Sequence, residues 1–173
     1  NPADAIRKKV GLATEDRRRT GLLLKKSIEE NIALPNLPFH AKNGFVNVPW
    51  EIETSNDYMD KLKIKAPNIN TLCGNLSGGN QQKVIFGKWL ERGPQVFMMD
   101  EPTRGIDVGA KYEIYELIIQ MAKEGKTIIV VSSEMPEILG ITNRIGVMSN
   151  GHLSGIVNTK ETNQEELLRL SAK

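Results

Sequence analysis

Two short apolar runs bracket a long amphipathic stretch in the second half of the chain, and that order predicts a parallel α/β core. Val96-Phe97-Met98-Met99 is continuous, as expected of a strand buried on both faces, and Thr127-Ile128-Ile129-Val130-Val131 reads as a second buried strand. Between them Ile114, Leu117, Ile118 and Met121 recur at helical spacing, on a segment that Asp107 can cap and Gly125 can close. Gln81 to Glu91 carries Val84, Ile85, Lys88 and Trp89 at the same spacing, until Gly93-Pro94 stops it. Earlier, Ser27-Ile28-Glu29-Glu30 reads as a serine-capped helix start that Pro35 and Pro38 end. Asn56 to Leu62 is a further short helical pattern before the turn chemistry around Pro67. Arg144 to Met148 and His152 to Val157 flank Ser149-Asn150-Gly151, a hairpin signal, and Thr162-Asn163-Gln164-Glu165 reads as a capping box. From Asn1 to Lys26 the chain is short on core, and Arg17-Arg18-Arg19 predicts a solvated loop.

Composition narrows the class. With 39% apolar and 25% charged residues the chain is globular rather than disordered, and its 173 residues suffice for one domain or most of one. A net charge of +2 gives no electrostatic footprint for nucleic acid. One cysteine, Cys73, excludes an internal disulfide, fits a reducing compartment and reads as a small half-buried loop residue. No apolar run approaches the roughly 20 residues that span a bilayer, so membrane association would run through a partner. Neither His40 nor His152 has a partner at metal-ligand spacing, and Trp50 and Trp89 read as packing residues. The opening Asn1-Pro2, without Met, suits an excised fragment.

Candidate chemistry lies in two places. Gly78-Gly79, directly before a helix, leave backbone N–H groups unobstructed with the helix dipole behind them, and Ser77 adds a hydroxyl. Such a surface can bind the terminal phosphate of a nucleotide. Shortly after, the apolar strand delivers Asp100 and Glu101 at its C-terminal end, where α/β sheets bind ligands. Asp100 would hold a hydrated Mg²⁺ bridging nucleotide phosphates, and Glu101 would orient or deprotonate an attacking water. A P-loop is absent from these residues. Gly125-Lys126-Thr127 is a decoy, because helix, turn, strand reverses the order that a phosphate cradle requires.

These residues resemble the ATP-binding subunits of ABC transporters. Leu76-Ser77-Gly78-Gly79-Asn80-Gln81-Gln82 is similar to their signature motif, Val96 to Glu101 to their Walker B strand, and Gly105-Ile106-Asp107 to their D-loop. Val131-Ser132-Ser133-Glu134 resembles the switch region, with Ser133 where a histidine is usual, and Glu15 stands at the position of the Q-loop glutamine. The stretches Thr14 to Arg17, Ser77 to Lys83, Glu101 to Lys111 and Ser132 to Glu137 are similar to the second nucleotide-binding half of monosaccharide importers. Met148 to Val157 resembles their galactose/methyl galactoside subgroup. The resemblance implies a P-loop NTPase-like ABC ATPase fold, truncated before the Walker A region, with a helical subdomain. Residues 1–26 would end the ATPase core with the Q-loop region, 27–92 form the helical subdomain with the signature, and 93–173 complete the core. It also implies ATP and Mg²⁺ as cofactors, with Ser77, Gly78, Gly79 and Gln81 touching nucleotide in trans and Asp107 serving the D-loop. Glu101 would be catalytic and Asp100 the metal residue. The implied partners are the other ATPase half of the same polypeptide, membrane permease subunits and, indirectly, a periplasmic sugar-binding protein, at the cytoplasmic face of the bacterial inner membrane; nucleic acid is not among them.

Overall fold

The computed structural model describes residues 1–41 and 44–172, which form two compact units, Asn1–Val131 and Ser132–Lys173. In the first unit the elements run α1 (Pro2–Arg7), β1 (Val10–Ala13), α2 (Ile28–Ala33), α3 (Leu37–His40), α4 (Val48–Lys61), α5 (Gly78–Glu91), β2 (Val96–Asp100), α6 (Val108–Lys123) and β3 (Thr127–Val131). The second holds α7 (Met135–Ile141), β4 (Arg144–Ser149), β5 (His152–Asn158) and α8 (Gln164–Ser171).

The three strands of the first unit pair in parallel in the order β1-β2-β3, with Gly11 beside Phe97 and Phe97 beside Ile128. This is the parallel α/β core that the apolar runs predicted. β1 was not expected, because Val10-Gly11-Leu12-Ala13 is too short and too poor in β-branched residues to stand out. Its glycine has a packing reason: a Cβ on Gly11 would lie 3.1 Å from the Trp89 ring. Connections between neighbouring parallel strands are right-handed, so α5 and α6 lie on the same face of the sheet. There Phe97 and Met99 are buried, and Phe86 of α5 meets Phe97 edge to face at 5.8 Å. The expected burial of both faces is not found. Leu12 and Ile129 are each 45% exposed and Val131 55%, because the helices of these crossovers cover only one side.

The helical region between Ser27 and Glu91 packs around one polar residue. Ser27 and Glu30 close the capping box of α2 as expected, Ser27 accepting from the Glu30 N–H and Glu30 from the Ser27 N–H. One residue on, Asn31 is fully buried. Its carbonyl oxygen accepts from the Leu23 N–H at 2.8 Å, and its amide donates to the Leu23 and Ser27 carbonyls at 3.0 and 2.8 Å and to Cys73 Sγ at 3.3 Å. Cys73 is fully buried rather than half-buried, and desolvation pushes its thiol up to about 12, so it is inert. Gly87 lets Ile32 of α2 and Leu62 after α4 approach α5, since a Cβ there would meet both at 3.3 and 3.4 Å. α4 starts earlier than the Asn56 pattern suggested, capped by Asn47 with a proline in its first turn.

The second unit is a hairpin under a helix. Asn150 and Gly151 both take positive φ, 48° and 80°, as a two-residue turn of this kind requires. Ile145, Val147, Leu167 and Leu170 form its core. α8 opens one residue later than the expected box, because the Asn163 side chain accepts from the Glu166 N–H while Thr162 donates to the Glu166 carboxylate. Asn31→Leu should lose about 1–3 kcal/mol of stability, since it strands the Leu23 N–H, whose acceptor is the Asn31 carbonyl oxygen. Denaturant unfolding with an unchanged m-value checks this.

Candidate functional site

Helix α5 begins at the glycine pair. Ser77 is its N-cap, accepting from the Asn80 N–H, so Gly78 and Gly79 occupy the first helical positions. The glycines also face a neighbour. A Cβ on Gly78 would lie 3.2 Å from the Gly105 carbonyl oxygen, and one on Gly79 only 2.8 Å from the Ala110 Cβ. The turn therefore sits directly against the loop that leads into α6, where Asp107 caps that helix by accepting from the Ala110 N–H at 3.0 Å. Between them lies an open groove of about 310 Å³, with Ser77, Gly79, Asn80, Asp107, Lys65 and Glu113 among its walls. The structure thus brings Ser77, Gly78 and Gly79 together with Asp107.

Asp100 and Glu101 leave the C-terminal end of β2, both half-buried. Glu101 has φ of 46°, which a non-glycine residue adopts only at a cost, and its N–H is fixed on the Val131 carbonyl at 2.8 Å. The strained turn begins where the two carboxylates stand. Among the described residues no group of three or more His, Cys, Asp or Glu could hold a metal ion. Asp100 presents one carboxylate at the strand end, the kind of oxygen donor that a hydrated Mg²⁺ takes.

Glu15 is tied to the same loop, because its carboxylate forms an ion pair with Arg104. The acid at this position is thereby paired with a cation. Arg17 adds a second tie, donating from Nη1 to the Arg104 carbonyl at 2.6 Å. Its guanidinium is half-buried, its Nε has no partner among the described residues, and desolvation lowers its pKa. Arg18 and Arg19 are exposed, as the solvated reading expected, but Arg17–Gly21 form a π-helical turn capped by Asp16 rather than a loop, and Arg17 is not solvated. Three like residues in a row hid the one that turns inward.

Gln81 points away from the groove. It is 6% exposed and its amide donates to the Cys73 carbonyl at 3.0 Å. In the other unit Ser133 is exposed and joins β3 to α7, beside Ser132, whose hydroxyl donates to the buried Glu137 carboxylate and accepts from the Glu134 N–H. Lys126 and Thr127, the decoy, do follow a helix stop, with Gly125 at φ of 90°. His40 is stacked on Trp50 at 3.9 Å, and Trp89 packs beside Gly11.

Sequence reasoning missed Lys65, Lys83 and Glu113. Lys83 is almost fully buried, and its ammonium donates to Glu113 at 2.7 Å and to the Lys63 carbonyl at 2.9 Å. Lys65 reaches the other Glu113 oxygen at 2.8 Å. Only the helical register of Lys83, on the same face as Asn80, could have signalled it. Hydrogen bonds from Lys65 and then Lys83 hold the Glu113 carboxyl at about 2, below its ordinary 4.5.

Comparison with known proteins fits this geometry. The family model described as ABC transporter matches residues 1–104. The galactose/methyl galactoside import ATP-binding proteins of Treponema denticola and Treponema pallidum are 62% and 57% identical to this chain, over 94% and 98% of it. That of Pasteurella multocida is 51% identical over the whole chain. The chain spans about a third of the length of these relatives. Among solved structures, a dimeric ATP-binding cassette in a post-hydrolysis state bound to ADP and Pi superposes with a TM-score of 0.74 at 22% identity, covering 91% of this chain and 66% of that one. Another ABC transporter cassette gives 0.79 at 19% identity over 98% and 71%. At such identities the likeness shows the fold, which is the ABC ATPase fold expected from the resemblance.

Glu113 yields a pH-dependent expectation. Its folded pKa lies below the unfolded one, so its contribution is complete above 4.5 and is lost as pH falls toward 2. Glu113→Gln should cost about 1 kcal/mol at neutral pH, a value discounted because the carboxylate is partly solvated. Thermal unfolding across pH should show the difference from the parent shrinking through that window.

Proposed function

We propose, for a chain that belongs to the ABC transporter family, that it carries the signature and Walker B portion of an ATPase half that energises sugar import. The observation that supports this most is the seating of Ser77-Gly78-Gly79 against the loop of Asp107, on a sheet whose central strand ends in Asp100-Glu101. The names of the relatives, galactose/methyl galactoside import ATP-binding proteins, support a monosaccharide, with galactose or methyl galactoside first. In this reading residues 27–92 are the helical subdomain between two core segments, 1–26 and 93–173. The partners are a second ATPase half in the same polypeptide and membrane permease subunits, with a periplasmic sugar-binding protein beyond them. No helix among the described residues is long and apolar enough to cross a membrane, which fits peripheral attachment at the cytoplasmic face of the inner membrane through those subunits.

Bound MgATP would supply the phosphoryl group whose release drives the cycle. Asp100 would hold the ion through water, and Glu101, fixed by its own N–H on Val131, would orient the attacking water. Ser77, Gly78 and Gly79 would donate to the terminal phosphate of a nucleotide held mainly by the other half. The groove fits that role, since Ser77 is exposed on it at a helix N-terminus. Gln81, committed to Cys73, would fix the helix rather than touch nucleotide.

The two sites are unequal in this reading. At the positions that the family resemblance assigns, Ser133 lacks a ring nitrogen and Glu15, committed to Arg104, offers no amide donor, so the site served by Asp100 and Glu101 is the weaker one. The signature here supports the productive site. In the complete polypeptide with its permease, Ser77→Arg should therefore abolish ATP turnover while Glu101→Gln retains much of it. Equal loss from both would refute the inequality and favour two ordinary sites. For the 173-residue chain by itself, no ATP hydrolysis and little affinity are expected, because its sequence holds no P-loop pattern to cradle the β- and γ-phosphates. Tight Mg²⁺-dependent binding by calorimetry would count against the assignment.

A further inference from the structure

We propose that Asn80 is a positioning residue that turns the Ser77 hydroxyl into a dedicated hydrogen-bond donor; this rests on the reading that Ser77 serves a nucleotide phosphate. The serine hydroxyl has one proton to give and two lone pairs to fill. Both lone pairs are addressed by the same neighbour: the Asn80 side-chain amide donates to Ser77 Oγ at 3.0 Å and the Asn80 backbone N–H at 3.4 Å. The O–H is then left to point away from α5, into the groove that Ser77 and Asn80 both line. An anion there accepts that proton, whereas a hydroxyl free to rotate would spend part of its time accepting from water.

Asn80 is itself held from behind. Its carbonyl oxygen accepts from the Lys65 N–H at 2.8 Å, which fixes the amide in the orientation that presents its NH₂ to Ser77. The segment carrying Lys65 is clamped in turn. Lys83, one turn beyond Asn80 on α5, donates to the carbonyl of Lys63, whose φ of 51° marks a bend that needs holding. Glu113 of α6 receives both Lys65 and Lys83. A continuous chain thus runs from a carboxylate on α6, through two ammonium groups and one loop, to the hydroxyl at the start of α5. Charged hydrogen bonds sit at the far end and neutral ones at the working end. That order suits a strut, in which the strong bonds fix the frame and the weak ones set a rotor.

The test is a double-mutant cycle on ATP turnover of the complete polypeptide with its permease, read as phosphate release. Asn80→Asp keeps the acceptor for Lys65 but replaces the donor by an acceptor, so the Ser77 proton is drawn inward. We expect it to lower kcat about tenfold with KM for ATP changed less than about threefold, because most of the nucleotide is held elsewhere. In a Ser77→Ala background the same change should have at most about a twofold effect, since no hydroxyl remains to misdirect. The added negative charge acts in both backgrounds, so only the difference between them reports on the hydroxyl. Equal fold losses in the two backgrounds would overturn the positioning role. Asn80→Ala, which frees the rotor without adding charge, should fall between parent and Asn80→Asp, and should likewise lose its effect beside Ser77→Ala. A Ser77→Ala enzyme with unaltered turnover would remove the reading beneath the proposal as well, and so separates the two failures.

Discussion

Everything at the site depends on how closely the start of α5 approaches the loop before α6. On the α5 side the contact is bare backbone, because Gly78 lies where a Cβ would press on the Gly105 carbonyl and Gly79 where one would meet the Ala110 Cβ at 2.8 Å. A methyl group at Gly79 would have to move α5 off α6, and one at Gly78 would need the Gly105 carbonyl to give by a few tenths of an ångström. That contact makes the groove a groove. It also brings Asp107 beside Ser77, although the two residues belong to different helices separated by a strand of the sheet.

Two sets of polar ties secure the seating, and they differ in kind. Lys83 is buried with its ammonium on Glu113 and the Lys63 carbonyl, so breaking the Glu113 link leaves a buried charge without its counter-ion. Glu15 and Arg104 are largely exposed, and such a pair is worth little by itself. Arg17 lies between these cases, half-buried and reaching across to a backbone carbonyl. The Lys83 and Glu113 side is therefore a fixed frame, while the Glu15 and Arg104 side is held by bonds that water can replace. If the site moves during a cycle, the cheap displacement is on the Glu15 side.

The sequence showed the elements with strong local causes. The capping box at Ser27, the Asp107 cap, the Asn150-Gly151 turn and the parallel pair β2 and β3 each follow from a few adjacent residues. β1 did not, since it has four residues and its partner lies far along the chain. Nor did the open face of the sheet, because a continuous apolar run states that a strand can be buried and not that anything covers it. Leu12 and Ile129 lie at equivalent register positions on that face. At the site, Ser77, Gly78, Gly79, Asp100, Glu101 and Asp107 were readable as a spaced pattern. Arg17, Lys65, Lys83 and Glu113 were not, since their significance comes from partners tens of residues away, and charged side chains usually face water.

The glycine pair shows how a motif can be read correctly for an incomplete reason. Free N–H groups at a helix start account for glycine only if nothing else crowds the position, yet here Gly79 is buried against α6. Packing alone would demand the same residues. The separate contributions are carried by Ser77, which is exposed, makes no contact that the fold requires beyond its cap, and stands at the mouth of the groove. A helix needs only an acceptor at its N-cap, and asparagine or aspartate would serve equally. Serine differs from aspartate in keeping a proton to give, and from asparagine in offering the same atom as both cap acceptor and donor. The hydroxyl, rather than the glycines that frame it, is therefore where packing and chemistry separate, and where a functional role can be distinguished from a structural one.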